Sequence, residues 1–103
     1  MVTNRRTAVA AIAAREDFSN AGKTFSGKNH TNHTAAYFGQ LPSNFWPALD
    51  AALDAGTYVI YSYRTPIAWT TADGWVMPAV KYSATTSQHQ GIVRRSVEVK
   101  EIS

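Results

Sequence analysis

A helical pattern of apolar residues in the middle of the chain predicts a helix over residues 44–55. The apolar positions recur at i, i+4, i+7 and i+8, so they share one face that should pack on a sheet. These residues are Phe45, Leu49, Ala52 and Leu53. Ser43 is a suitable N-cap, and Gly56 suits the position that follows the last turn. Asp50 and Asp54 should face solvent on the opposite side.

A strand over residues 57–63 follows this helix, because β-branched and aromatic residues alternate there. Its alternation places Tyr58, Ile60 and Ser62 on one face, and the other face carries Thr57, Val59, Tyr61 and Tyr63. The segment 64–66 interrupts the pattern, and residues 67–71 resume it. The turn signal Ala72-Asp73-Gly74 leads into a strand over 75–77, and residues 79–83 continue extended after Pro78.

The ends of the chain carry weaker patterns. A helix capped by Thr3 or Asn4 is predicted to run to about Arg15, with its apolar stripe formed by Val9, Ile12 and Ala13. Short strands are expected around Phe25, over residues 23–28, and over 34–38. A third helix should run from a threonine cap at Thr85 or Thr86 to Arg95, and residues 97–102 form either an edge strand or a tail.

Together these elements predict an α+β protein. Its antiparallel sheet has three to five strands, with a meander over residues 57–83, and packs with two or three helices. The 103 residues form a single domain. Residues 34–95 are its folded core, and residues 1–33 are a helix and loop that can be loosely ordered.

Composition narrows the class of protein. Apolar residues make up 45% of the chain, which is typical of a globular protein, and the absence of cysteine excludes disulfides and thiolate sites. No apolar run reaches the length of a membrane span. The alanine-rich segment 7–14 superficially resembles a secretory signal, but Arg15 and the acidic pair after it favour a helix. The net charge of +3 permits nucleic acid or an acidic protein as partner without requiring either.

Two motifs carry a family resemblance. Residues 61–69 read Tyr-Ser-Tyr-Arg-Thr-Pro-Ile-Ala-Trp, and Lys81-Tyr-Ser-Ala-Thr-Thr-Ser-Gln-His-Gln90 follows downstream. Together with the preceding residues Gly39-Gln-Leu-Pro42, these motifs span segment 38–90. This segment resembles a family of short proteins of unknown function from actinobacterial phages, plasmids and some archaea. The resemblance implies a phage-type origin and the bacterial host cytoplasm as location. Arg64 stands where that pattern more often has glycine.

The candidate binding residues lie around a strand-to-helix junction, where free backbone amides and hydroxyl groups suit a phosphate or carboxylate. They are Arg64, Lys81, Tyr82, Ser83, Thr85, Thr86 and His89. Three readings stay open for this set: an anion- or nucleotide-binding edge, a protein-contact surface, or ordinary structure. In the last of these a threonine only caps, Tyr82 packs and His89 buries one hydrogen bond.

Catalytic and metal readings are weaker, and no catalytic residue, cofactor or metal ligand is assigned. Ser83 and His89 could form a triad with Asp73, but no oxyanion hole is recognisable. Tyr82 and His89, supported by Lys81, could serve a nucleotide- or nucleic-acid-processing enzyme. His30 and His33 would converge on a metal only if they lay on a helix, whereas their surroundings predict a loop.

The aromatic residues are either core or stacking platforms for single-stranded nucleic acid. The set comprises Trp46, Trp69, Trp75, Tyr58, Tyr61 and Tyr63. The favoured function is a phage-type accessory protein that binds a host protein or nucleic acid without catalysis. The runner-up is the enzyme just described, and a structural virion component has only small size in its favour. No membrane partner is predicted.

Overall fold

The computed structural model describes residues 5–32 and 36–103. Within them the helices are α1 (Arg5–Ala14), α2 (Trp46–Ala55) and α3 (Ala84–Ser96). The strands are β1 (Phe18–Ser19), β2 (Phe25–His30), β3 (Thr57–Ser62), β4 (Thr65–Thr71), β5 (Gly74–Pro78) and β6 (Val99–Ile102). None of these helices is both long enough and apolar enough to cross a membrane.

All six strands of the described chain lie in one sheet, in the order β1-β2-β3-β4-β5-β6. Neighbouring strands are antiparallel, except that β6 pairs parallel to β5 after the crossover through α3. The α+β class is confirmed, but the expected size of three to five strands is wrong. The sheet is larger because β2 pairs with β3 along its whole length and carries β1, while β6 adds the opposite edge.

Helices cover both faces of the sheet. Helices α1 and α3 pack together on one face, where Ala8, Ile12 and Val93 meet Tyr58 and Ile60. Helix α2 covers the other face, and its predicted apolar residues are all buried there. This explains why every residue of β3 is buried: a strand between two helical layers has no solvent-facing side. The predicted division of this strand into two faces is confirmed for Tyr58 and Ile60, which join one core cluster, and for Val59 and Tyr61, which join the other. Tyr63, which was expected to continue the second face, lies beyond the end of β3.

A β-bulge in β4 lets two consecutive residues face the same helical layer. Ile60 pairs with Ala68 and Tyr61 pairs with Pro66, so Ile67 is the extra residue. Ile67 and Ala68 therefore both join the cluster under α1 and α3. The strand begins at Thr65 rather than after the predicted interruption at 64–66, because a proline is tolerated at a bulge.

Several predicted boundaries change. A short 3₁₀ turn, Ser43–Phe45, precedes α2, and the Ser43 side chain does not cap that helix. In α1 the buried residues are Ala8, Ala11 and Ile12, because the face that carries them packs against α3. Ala13, which was expected on the apolar stripe, is exposed. The predicted caps Thr3 and Asn4 lie outside the described residues.

Two predicted extended segments are not strands. Of the segment 34–38, residues 36–38 are irregular and the first two positions lie outside the described residues. Residues 79–83 also join no strand, because β5 ends at Pro78 and the chain turns there toward α3. The expected third helix is present, but Ser83 caps it instead of a threonine.

Candidate functional site

The β3–β4 connection is a two-residue turn, Tyr63-Arg64, that projects from one end of the sheet. Both residues have positive φ, 52° for Tyr63 and 65° for Arg64, which is the pattern of a type I′ hairpin turn. Such turns favour Asn-Gly, because a side chain in the left-handed region costs about 1–2 kcal/mol. Two large side chains are therefore held at the surface, with Tyr63 52% exposed.

A glycine of the preceding loop packs directly against this turn. Gly39 has a φ of +48°, and a Cβ atom there would lie 2.5 Å from the Arg64 carbonyl oxygen and 2.5 Å from the Thr65 hydroxyl. The next residue, Gln40, donates its backbone N–H to Thr65 Oγ1 at 2.9 Å. Only glycine fits this approach, so the Gly39 motif and the turn form one structural unit.

A buried network ties the end of β3 to the first turns of α3. Ser62 Oγ lies 2.7 Å from His89 Nδ1 and 2.9 Å from Thr86 Oγ1. Ser83 caps α3 by accepting a hydrogen bond from the Thr86 backbone N–H at 3.3 Å. Ser62, Thr86 and His89 are all buried, so their hydroxyl and imidazole groups hold the two elements together.

His89 is the centre of an aromatic series that reaches the surface. Its ring stacks on Phe25 with centroids 4.3 Å apart and planes 10° apart. The exposed Tyr63 ring lies beside His89, with the two ring centroids 6.2 Å apart. Burial lowers the pKa of His89, because removal from water disfavours the protonated imidazole.

The first groove, here called the α3 groove, runs between the β3–β4 turn and the start of α3. Its volume is about 560 Å³, and its walls include Gln40, Val80 and Lys81. The remaining lining is hydroxyl-bearing: Ser62, Tyr63, Thr65, Tyr82, Ser83 and Thr86. Among the described residues, none of those that line it carries a carboxylate, so the groove has one positive charge and many hydrogen-bonding groups.

Tyr82 differs from the other residues of this groove. Its hydroxyl is buried and has no hydrogen-bond partner in the described chain. Burial also raises the pKa of Tyr82 above its ordinary value, because removal from water disfavours the phenolate. A buried hydroxyl without a partner is uncommon, because it loses its hydration without compensation.

The second groove, here called the tyrosine cleft, lies on the other side of the turn. Its volume is about 600 Å³. Besides Tyr63 and Arg64, it is lined by Tyr37 and Lys23, and the Arg64 guanidinium lies 5.4 Å from the centre of the Tyr37 ring. The remaining lining consists of Ser19, Gly22, Thr24, Ser26 and Tyr61.

The structure brings together only part of the predicted site. Lys81, Tyr82, Ser83 and Thr86 line the α3 groove, whereas Arg64 lines the tyrosine cleft. The other two predicted residues lie outside both linings: Thr85 is exposed in the first turn of α3, and His89 is buried behind Ser62.

Lys23 and Tyr37 were missed by the sequence reasoning. They precede the turn by many residues and reach it only because β2 pairs with β3. No local signal marks them, although a lysine between Gly22 and Phe25 and a tyrosine before Gly39 stand in the printed sequence.

The alternative catalytic triad is not assembled among the described residues. Ser83 serves as a cap, His89 Nδ1 contacts Ser62 instead, and Asp73 lies at the opposite end of β4. His30 is buried with its Nε2 2.8 Å from the Tyr61 hydroxyl. Its proposed companion His33 lies outside the described residues. Within the described ranges, no three His, Asp or Glu side chains are grouped as metal ligands.

The aromatic residues divide between core and surface. Trp69, Trp75, Tyr58 and Tyr61 are buried, which agrees with a core role. Trp46 and Tyr63 are exposed, at 44% and 52%. Tyr63 alone of these six belongs to the lining of both grooves.

A family model described as Family of unknown function (DUF8033) matches residues 16–95. No curated protein and no solved structure matches the chain. The match includes segment 38–90, on which the resemblance to an uncharacterised family was based, and extends beyond it on both sides. It carries no information on origin or activity, so the phage-type origin stays a prediction from the motifs.

Proposed function

The chain belongs to the Family of unknown function (DUF8033), and from its surface we propose that it is a non-catalytic binding module for nucleic acid. The phage-type origin and the bacterial cytoplasmic setting implied by the motifs are part of this proposal. A host protein is the partner of the competing version, which the experiment below separates.

One observation carries the proposal: the lining of the α3 groove holds Lys81 and no carboxylate, and its exposed hydroxyl-bearing residues are Tyr63 and Ser83. Phosphate oxygens accept hydrogen bonds from hydroxyls and lysine, and such contacts position most proteins on nucleic acid. The first intrahelical hydrogen bond of α3 runs from the Ser87 N–H to the Ser83 carbonyl. The amides of Ala84 and Thr85 precede it, and they add partial positive charge at the same end.

The hydroxyl next to His89, the candidate general base, is already held in buried hydrogen bonds, and this supports binding over catalysis. Ser62, the hydroxyl next to His89, is only 1% exposed and contacts Thr86 as well. A nucleophile must reach the substrate while its base takes the proton, and this buried pair does not offer that access. The enzyme reading with Tyr82 and His89 would need both groups at one accessible centre.

The test is fluorescence anisotropy of labelled oligonucleotides titrated with the intact chain at several salt concentrations. We expect the logarithm of the affinity to fall linearly with the logarithm of salt between about 50 and 200 mM, with a slope of roughly −0.7 to −0.9 per phosphate contacted. Lys81→Glu should weaken binding and flatten that slope, whereas Lys81→Arg should retain both. Lys100→Glu is the matched control, because it makes the same charge change on the edge strand β6, outside both grooves.

Absence of oligonucleotide binding, or binding that ignores salt, would reject the proposal. Suppose instead that the chain captures a bacterial protein from lysate, that this capture survives nuclease treatment, and that Lys81→Glu abolishes it. The partner would then be a protein rather than nucleic acid. Breakdown of the oligonucleotide or of a nucleotide, lost in both His89→Ala and Tyr82→Phe, would replace binding with the enzyme reading.

A further inference from the structure

Resting on the proposed function, we infer that the nucleic acid is single-stranded and that its bases stack on Tyr37 and Tyr63 in the tyrosine cleft. Arg64 and Lys23 then contact the phosphates beside those bases. Because Tyr63 also lines the α3 groove, the strand continues across the turn toward Lys81.

The exposure of the two tyrosines is the first observation. Among the described residues, the large hydrophobic side chains that remain exposed are Tyr37, Trp46 and Tyr63, and two of these three line one cleft. Scattered exposed aromatics are ordinary, but rings gathered in a concave surface are a feature of binding sites, and flat bases can stack on such rings. As whole residues Tyr37 is 47% and Tyr63 52% exposed, and the Arg64 guanidinium lies over the Tyr37 ring, 5.4 Å from its centre.

Both rings are held in place before any ligand arrives. Tyr37 packs edge-to-face on the buried Tyr61, with centroids 5.8 Å apart and planes at 82°. Tyr63 follows the stacked pair of His89 and Phe25, and its backbone N–H donates to the Thr24 carbonyl at 3.0 Å. Rings fixed in this way lose little conformational freedom on binding, which favours the bound state.

The charges of the cleft select a polyanion rather than a neutral aromatic ligand. Lys23 and Arg64 are its charged residues, and no carboxylate belongs to its described lining. Of the seven acidic residues of the chain, Asp17 lines an adjoining pocket that shares Tyr37 with the cleft. The other six lie elsewhere: Glu16 after α1, Asp50 and Asp54 on α2, Asp73 at the β4–β5 turn, and Glu98 and Glu101 near β6. Arginine and lysine beside tyrosine faces are the usual composition of sites that track a single strand.

A duplex does not fit this arrangement. Paired bases present only their edges in the grooves, and their faces are covered by neighbouring base pairs. Stacking on protein rings therefore requires unpaired bases, as in single strands and loops. The tyrosine cleft offers ring faces and cations but no helix or ribbon that would enter a groove.

The experiment compares a labelled single strand of about 12 nucleotides, within the site sizes of single-strand-binding folds, with the duplex of the same sequence. We expect the single strand to bind more tightly at equal salt. Tyr63→Gly removes the ring at a left-handed position that glycine tolerates, so it should weaken single-strand binding roughly ten-fold without loss of thermal stability. Tyr37→Ala should act in the same direction, and Tyr63→Trp should retain affinity.

Trp46→Ala is the matched control, because Trp46 is an exposed aromatic residue outside both grooves and should not change affinity. Equal binding of single strand and duplex would overturn the inference, as would unchanged affinity in Tyr63→Gly and Tyr37→Ala. If Lys81→Glu still weakens binding in either case, the proposed function stands without the stacking site. If neither form of nucleic acid binds, the proposed function itself fails.

Discussion

At the scale of single residues, Arg64 combines an unfavourable backbone conformation with a side chain at the candidate site. Its φ of 65° lies in the left-handed region, which favours glycine. Strained residues of this kind persist where the surrounding structure holds them, often at binding sites. The guanidinium contact with the Tyr37 ring is the contribution that a glycine could not supply.

Comparison of Arg64→Gly with Arg64→Ala isolates the backbone term, since both variants lose the guanidinium. We expect the glycine variant to be the more stable of the two by about 1 kcal/mol, because alanine keeps the left-handed strain. Both should bind oligonucleotide less tightly than the natural chain. Urea unfolding measures the difference, and an alanine variant as stable as the glycine variant would show that the turn is not left-handed in solution.

Gly39→Ala should be strongly destabilising, by roughly 2 kcal/mol or more, because its methyl group would meet the Arg64 carbonyl and Thr65 in addition to the strain of positive φ. Gly91→Ala is the matched control. Gly91 lies inside α3, and a Cβ atom there would have no neighbour within 4 Å. That change should stabilise by about 0.5–1 kcal/mol through helix propensity alone. Equal effects of the two substitutions in urea unfolding would contradict the close approach.

At the scale of elements, the junction between β5 and α3 determines how the α3 groove is formed. Residues 79–83 leave β5 at Pro78 and carry Lys81 and Tyr82 to the start of the helix. The network of Ser62, Thr86 and His89 then fixes that start against the end of β3. The groove is thus formed between two elements, and its shape depends on the helix beginning at the correct residue.

Ser83→Ala should destabilise the protein by about 1 kcal/mol, because Ser83 caps α3 through the Thr86 N–H. Thr85→Ala serves as the control and should change the free energy of unfolding by less than about 0.5 kcal/mol, as an exposed substitution away from a cap. Chemical unfolding of both variants tests this assignment. If Thr85→Ala destabilised the protein more than Ser83→Ala, the cap would be the threonine expected from the sequence.

At the scale of the whole molecule, burial of titratable rings should make stability depend on pH at both extremes. On the acid side, burial lowers the pKa of His89 below its usual value of 6.5. The unfolded chain then takes up a proton before the folded chain does, so stability is constant above that value and falls as pH drops through it. The slope from this one group is at most about 1.4 kcal/mol per pH unit.

His89→Gln should remove this acid contribution, whatever its effect on stability at neutral pH. Unfolding by urea at a series of pH values from about 7.5 down to 5.5 measures the slope, in a window centred on the ordinary histidine pKa. We expect the slope of the variant to be the smaller one. Identical slopes would show that the imidazole of His89 is protonated equally well in the folded protein.

On the alkaline side, burial raises the pKa of Tyr61 to about 12 and also raises that of Tyr58 and Tyr82. These groups lose their protons first in the unfolded chain, so stability is complete below pH 10 and declines from there toward pH 12. Tyr61→Phe should make the decline shallower in alkaline unfolding followed by circular dichroism. A decline of the same steepness would contradict the raised pKa of Tyr61.

Local periodicity was sufficient to predict the buried face of α2 and the two faces of β3. Those patterns depend only on the 3.6-residue and two-residue repeats of helix and strand, which a single segment displays. The threonine cap expected for α3 was wrong, because Ser83 caps that helix. The hairpin at Ala72-Asp73-Gly74 and the presence of the helix were nevertheless visible, since turn and helix signals act within a few positions. For the same reason, four of the seven predicted site residues line one groove: Lys81, Tyr82, Ser83 and Thr86.

Only the tertiary structure decided the extent of the sheet and the position of the tyrosine cleft. The pairing of β2 with β3 brings Lys23 beside Tyr63 and Arg64, and the loop after β2 brings Tyr37 there. The crossover through α3 makes β6 a parallel edge strand. The buried contact between His89 and Ser62 likewise joins segments that are distant in sequence. The free energy of such contacts depends on which surfaces meet, and a one-dimensional pattern carries only what each residue can do next to its neighbours in sequence.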